Sequence, residues 1–148
     1  TGVRTFEAAA YLRRCGADSV SVRQMFKNDM EEYKARAGIV SAAHIINGNM
    51  AIAGWKGGIE NASAVAAQAA DELLDIRGIE SSYVLTQMGD QINISARSLG
   101  KINVQLIMEE LGGGGHMTVA GAQLRQTSLE EAEEKVVAAI QAVLERKA

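Results

Sequence analysis

The chain of 148 residues has no proline and a single cysteine. The lone Cys15 excludes an internal disulfide and fits a reducing compartment. Two histidines, His44 and His116, with that one cysteine leave too few ligands for a Cys/His zinc site. No run approaches the ~18 consecutive apolar residues of a membrane-spanning helix. The start, Thr1-Gly2-Val3-Arg4-Thr5, has neither an initiator methionine nor a signal peptide, so a piece of a longer protein is expected. A net charge of −3 argues against broad nucleic-acid binding, and no stable DNA binding is expected.

What is present is an ordinary globular composition, 47% hydrophobic and 22% charged, long enough for one domain with a real core. Residues 1–36 carry seven Lys/Arg against five Asp/Glu, and residues 37–127 carry five against eight. The spacing predicts a helix over 5–15, with Thr5 as its cap, Cys15 packed and Gly16 as its stop. Asp18 or Ser19 caps further helix, with a break, to about Ala43. HIINGNMAIAGW reads as a hairpin turning at Asn47-Gly48, since both residues accept positive φ. Asn61 or Ser63 caps a helix through Leu74, with Asp71, Glu72 and Asp75 on its solvated face. A second hairpin over 81–95 turns at Gly89-Asp90, ARSLGK is a loop, and Ile102 to Leu111 is a short helix ended by Gly112. Thr118 to Leu124 reads as a helical turn leading into a strand. Ser128 and Glu131 form a capping box for a last helix to about Lys147. The expected fold is therefore α/β, a mixed sheet of about five strands flanked by helices and preceded by a helical linker.

One segment stands out, ELGGGGHMTVAGAQL over 110–124. Four glycines in a row cost backbone entropy, so the chain needs either positive φ or a bare backbone there. A bare backbone lets a ligand touch N–H groups, and successive N–H groups make an anion nest. A helical turn after His116 would add its own N-terminal N–H groups. The preceding helix ends at Gly112, and its C-terminal dipole disfavours an anion, so a cation is needed. Arg97 in ISARSLGK is the candidate, because a guanidinium forks onto phosphate oxygens. Ser95 and Ser98 flank it, and His116 offers a directed donor. The plainer readings are a packing corner for the glycines, a solvated turn for Arg97 and a helix cap for His116. His44 reads as structural, Lys101 as solvated, and Trp55 as a partly buried edge residue.

These same residues carry a resemblance. ISARS, then INVQLIMEELGGGGH, then VAGAQ, resembles the C-terminal DHH-associated domain of DHH-superfamily phosphoesterases, the type with a Gly-Gly-Gly-His motif. The likeness runs from about Gly38 to the end. TGVRTFEAAAYLRRCGAD resembles the end of the catalytic DHH domain and the start of its linker. The implied division is 1–36 for that end and linker, and 37–148 for the substrate-binding domain. With INVQLIME, the spelling is most similar to the membrane-anchored cyclic-di-AMP phosphodiesterases of Gram-positive bacteria.

The resemblance implies a hydrolase that opens cyclic-di-AMP to linear pApA, using two manganese ions held in the DHH domain. It implies substrate binding by Gly113, Gly114, Gly115 and His116, with Arg97 on phosphate and Ser95, Ser98 and Asn103 on the same face. The Asp-His-His triplet of that family is absent, and two histidines cannot build the metal centre, so no catalytic residue and no metal ligand are expected here. This piece alone is expected to bind weakly and cleave nothing. Its expected partners are a cyclic dinucleotide or short nucleotide and the parent's DHH domain, with a homodimer left open. The expected place is the cytoplasmic face of the membrane that anchors the parent. The alternatives are a lobe of an oligoribonuclease that also acts on pAp, an RNA-binding module, or a structural dimerisation domain.

Overall fold

Two patterns of apolar residues distinguish the strands. The unbroken apolar stretches in MAIAGW and SSYVL suit strands covered on both faces, while QINISARS alternates and suits a strand covered on one. The computed structural model describes residues 2–27 and 29–146. Its elements are α1 (Val3–Arg14), α2 (Ser19–Met25), α3 (Met30–Ala42), β1 (His44–Ile46), β2 (Met50–Trp55), α4 (Ala62–Leu74), β3 (Ser81–Met88), β4 (Gln91–Ser98), α5 (Val104–Glu110), β5 (Gly114–Gly115), β6 (Val119–Arg125) and α6 (Leu129–Glu145). One six-stranded sheet runs in the order β1-β2-β3-β4-β6-β5. Among the described residues only β2 and β3 pair in parallel, and α4 is the crossover between them. The strand beyond the expected five is β5, two residues inside the glycine run.

Local chemistry sets the ends of these elements. Asn47 (φ 50) and Gly48 (φ 79) take the positive dihedrals that turn β1 into β2. Gly89 (φ 65) does the same between β3 and β4. Ser128 Oγ accepts from Glu131 N at 3.1 Å, and Glu131 Oε2 accepts from Ser128 N at 3.2 Å, the expected capping box. Asp18 caps α2 as expected, and Asp29 caps α3 after the expected break. Thr5 does not cap α1; the helix starts two residues earlier and Thr5 N donates to Gly2 O. No helical turn forms at Thr118, because residues 117 and 118 are the turn of a tight hairpin and the chain is already a strand at Val119. The expected end of the last helix at Lys147 lies outside the described residues.

Helices cover the two faces of the sheet unequally. On one face α5 and α6 bring Val104, Ile107, Met108, Val136 and Ile140 against Tyr83, Leu85, Ile92, Ile94 and Ala96. On the other, α4 lays Val65, Ala66, Ala69 and Leu73 on Ala51, Ala53 and Val84, and Ile39 of α3 joins the same core beside β2. Each large side chain so buried contributes about 1.5–3 kcal/mol. These helices reach no further than β4, so the face from β4 across β6 and β5 stays open.

The N-terminal segment contributes nothing to these cores. No residue of α1 or α2 is buried, and Phe6, Tyr11, Leu12, Met25 and Phe26 are exposed. Cys15 is exposed at the end of α1, where packing was expected. α3 differs, because Ala35, Ile39 and Val40 pack toward α4, so the expected division at residue 36 falls within a helix that docks as a unit.

Candidate functional site

The open end of the sheet is organised in rows set by strand register. Arg97 of β4 pairs with Val119 of β6, and Val119 exchanges both backbone hydrogen bonds with His116 at 2.7 and 3.2 Å. Cross-strand partners share a face, so Arg97, Val119 and His116 form the first row. Ser95, Gly121 and Gly114 form the second. Asn93 with Gln123, then Gln91 with Arg125, complete the shelf. His116 lies two strand spacings from Arg97, about 10 Å. The second row is almost bare, a trough between the two ends.

Three of the four glycines answer to the chain itself. Gly112 stands at φ +74 just past α5; its N–H donates to Glu109 O at 3.0 Å, and Gly113 N–H donates to Met108 O at 2.8 Å. This is a Schellman closure, and it occupies two of the carbonyls that would otherwise repel an anion. A Cβ on Gly113 would lie 2.2 Å from Gly121 O. On Gly115, at φ +145, a Cβ would lie 2.5 Å from both Ala120 Cα and Val119 O. Gly114 has ordinary dihedrals, and a Cβ there meets nothing within 4 Å. The N–H groups of Gly112, Gly113 and His116 are bound internally, so the run is not the continuous nest expected from its spelling. The alternation of an antiparallel ladder turns the Gly115 N–H toward the free edge of the sheet.

Arg97 is held from two sides. Its Nε donates to Asp71 Oδ1 of α4 at 2.9 Å, and Nη1 donates to Ala96 O at 3.0 Å. Its side chain is 15% exposed against 63% for Asp71. Among the described residues, these contacts leave three of the five guanidinium N–H donors free. Arg97 is thus part of a strand rather than a solvated turn, and ARS belongs to β4 rather than to a loop.

Not all of the expected site residues meet. Ser98 lies one position beyond Arg97, so strand alternation turns it to the opposite, buried face, where its Oγ accepts from Gly100 N. The single face expected for Ser95 and Ser98 is therefore corrected: Ser95 stays with Arg97 and Ser98 does not. Asn103 is the N-cap of α5, its Oδ1 accepting from Gln105 N and Leu106 N. It adjoins the hairpin through Val104 N, which donates to Met117 O at 3.1 Å. His116 is exposed, and its imidazole meets no partner among the described residues. His44 sits on β1 at the far edge of the sheet, with its Nε2 3.0 Å from Glu133 Oε1.

A two-metal centre does not fit this chain. The histidines occupy opposite edges of the sheet, and among the described residues no three His, Cys, Asp or Glu side chains gather where they could hold a metal ion. Sequence reasoning missed Asp71, Gln123 and Arg125. The signal for the shelf was available in QINISAR, whose odd positions are all polar and whose even positions are all apolar.

Comparison with known proteins identifies the family. The cyclic-di-AMP phosphodiesterase PdeA of Listeria monocytogenes is 47% identical over 143 residues, 96% of this chain and 22% of that protein. The cyclic-di-AMP phosphodiesterase GdpP of Geobacillus thermodenitrificans is 45% identical over 141 residues, 95% of this chain and 21% of the relative. The chain thus spans about a fifth of the length of these curated relatives. Among solved structures, an exopolyphosphatase-related protein from Bacteroides fragilis shares the fold with a TM-score of 0.81 at 20% identity, over 96% of this chain and 44% of that one. Residues 47–146, well over half of the chain, match the model of the DHHA1 domain, and the chain belongs to that family.

Proposed function

We propose that this domain is the nucleotide-binding lobe of a manganese-dependent phosphodiesterase that opens cyclic-di-AMP to linear pApA. The relatives named for that activity are far longer than this chain, so cleavage is assigned to residues outside it. The observation that carries the reading is Arg97, a braced guanidinium on an open sheet face with donors to spare, in one row with His116. Phosphate takes the free fork of Arg97. His116 and the Ser95 hydroxyl donate from either side, and Gly114 allows close approach to the backbone. Gly113 and Gly115 shape the hairpin, while Ser98 and Asn103 brace its surroundings.

The same reading assigns residues 1–36 to the end of the catalytic DHH domain and its linker. The exposed apolar side chains of α1 and α2 support it, since they suit helices completed by other chain segments. Manganese, bound in that other domain, would supply an activated water and a clamp on the scissile phosphate. The membrane anchor, with this lobe on its cytoplasmic face, also belongs to the longer protein; no described helix here is long and apolar enough to cross a membrane.

The test is an NMR titration of this chain with cyclic-di-AMP, linear pApA and pAp, carried to millimolar ligand because half of a cleft binds weakly. Amides from Gly113 to His116 should shift, and Arg97→Ala should weaken binding by about tenfold or more. Unshifted hairpin amides with all three ligands, or wild-type affinity in Arg97→Ala, would remove the site. Tighter binding of pAp than of either dinucleotide would move the assignment to an oligoribonuclease of the same superfamily.

A further inference from the structure

The shelf does not end at the bare row. A cavity of about 670 Å³ opens between Ser95 and Arg125, with Ser63, Asn93, Gly113 and Gln123 among its walls. That volume suits a nucleoside-sized ligand. Its lining offers hydroxyls, amides and one guanidinium, and no carboxylate. Asn93 is already committed, its amide donating to Met88 Sδ and its Oδ1 accepting from Gln91. Gln123 is exposed and makes no side-chain hydrogen bond among the described residues.

Arg125 is the one charged side chain of that lining. Arg97, the other arginine of the shelf, pairs with a carboxylate, Asp71. Arg125 is exposed and pairs with none among the described residues. A guanidinium without a counter-ion, at the mouth of a cavity without carboxylates, in a segment richer in acids than bases, is placed for an anion. Ser63 brings the first turn of α4 to the same cavity, and the Asn61 side chain does not cap that turn.

Spacing separates this anion from the first. Arg125 lies six residues along β6 from Val119, the partner of Arg97, which is about 20 Å of strand. One phosphate cannot meet both arginines. We infer that the cavity is a second nucleoside seat and that Arg125 holds the second phosphate of a dinucleotide whose first phosphate lies on Arg97. This inference rests on the nucleotide reading of Arg97 given above. Gln123 faces the seated base with one donor pair and one acceptor, so it can meet a polar base edge.

Linear pApA and AMP, titrated by NMR into this chain and its Arg97→Ala and Arg125→Ala variants, separate the two sites. Arg125 is exposed at the end of a strand, so its removal leaves the fold intact, which the unshifted core resonances will verify. The expected result is that Arg125→Ala weakens pApA by about tenfold and leaves AMP unchanged, while Arg97→Ala weakens both. If Arg97→Ala weakens pApA and Arg125→Ala does not, the nucleotide reading stands and the second seat is wrong. An equal loss for both ligands in Arg125→Ala overturns the second seat as well. If neither ligand shifts the hairpin, both readings fall.

Discussion

Gly114 and Gly115 are neighbours with opposite requirements. A methyl group on Gly115 would strike the backbone of β6 in a conformation that side chains rarely adopt, while the same group on Gly114 points into open space. Gly115→Ala should therefore cost about 2 kcal/mol or more, and Gly114→Ala should melt close to the unaltered chain. Thermal unfolding of the two variants checks this, with about 2–4 °C expected per kcal/mol for a chain of this size. Equal melting temperatures would show that the hairpin is looser than its geometry states. Gly114→Ala then becomes a clean probe, because any loss of nucleotide affinity in it comes from the ligand's side. The spelling GGGGH announced a special backbone, but it could not divide four identical residues into one that closes a helix, two that pack and one that does neither. The packing of Gly113 and Gly115 depends on β6 lying against the run, a contact across the sheet that no local pattern encodes.

At the scale of elements, the signals with local chemistry were readable and those that depend on neighbours were not. The capping box at Ser128 and the turn at Asn47-Gly48 are written in adjacent residues, and both formed as read. The strand expected after Thr118 formed as β6, but the helical turn expected at its start did not, because the His116–Val119 pair closes a tight hairpin there, a contact that the local spelling does not encode. The burial of β3 between β2 and β4 has a measurable result. Burial pushes the Tyr83 phenol up to about 12, and its oxygen meets no hydrogen-bond partner among the described residues. Below pH 10 the phenol is neutral in both the folded and unfolded chain, and its contribution to stability is complete. Between pH 10 and 12 the unfolded chain loses the proton and the folded chain keeps it, so stability falls, by about 2–3 kcal/mol at the end of the window. Tyr83→Phe should flatten that fall in urea unfolding at stepped pH, and leave stability near neutrality equal or higher. Parallel profiles for the two proteins would place the phenol in contact with water.

At the scale of the whole molecule, the residues suggest a boundary near 16–36, where the basic helical lead-in meets the sheet domain, and within that range the structure changes character: α1 and α2 bury no side chain, while α3 packs toward α4. Deleting residues 1–27 should leave the melting temperature of the sheet domain unchanged within about 2 °C, since no described side chain of those helices is buried. Extending the deletion through Ala42 removes Ile39 from its core and should cost about 2 kcal/mol or more. A large loss from the first deletion alone would show that the lead-in packs on the sheet in solution. Layering was legible as α/β from alternating element types, but not the uneven cover, because how far the helices reach across six strands is a property of the assembled sheet. That uneven cover makes β4 serve two masters, with its even positions committed to the core and its odd positions to the shelf. Mutations that retune the shelf therefore fall on different residues from those that would unfold the domain. One strand thus carries two independent messages, and its exposed chemistry can be rewritten at a low cost in folding.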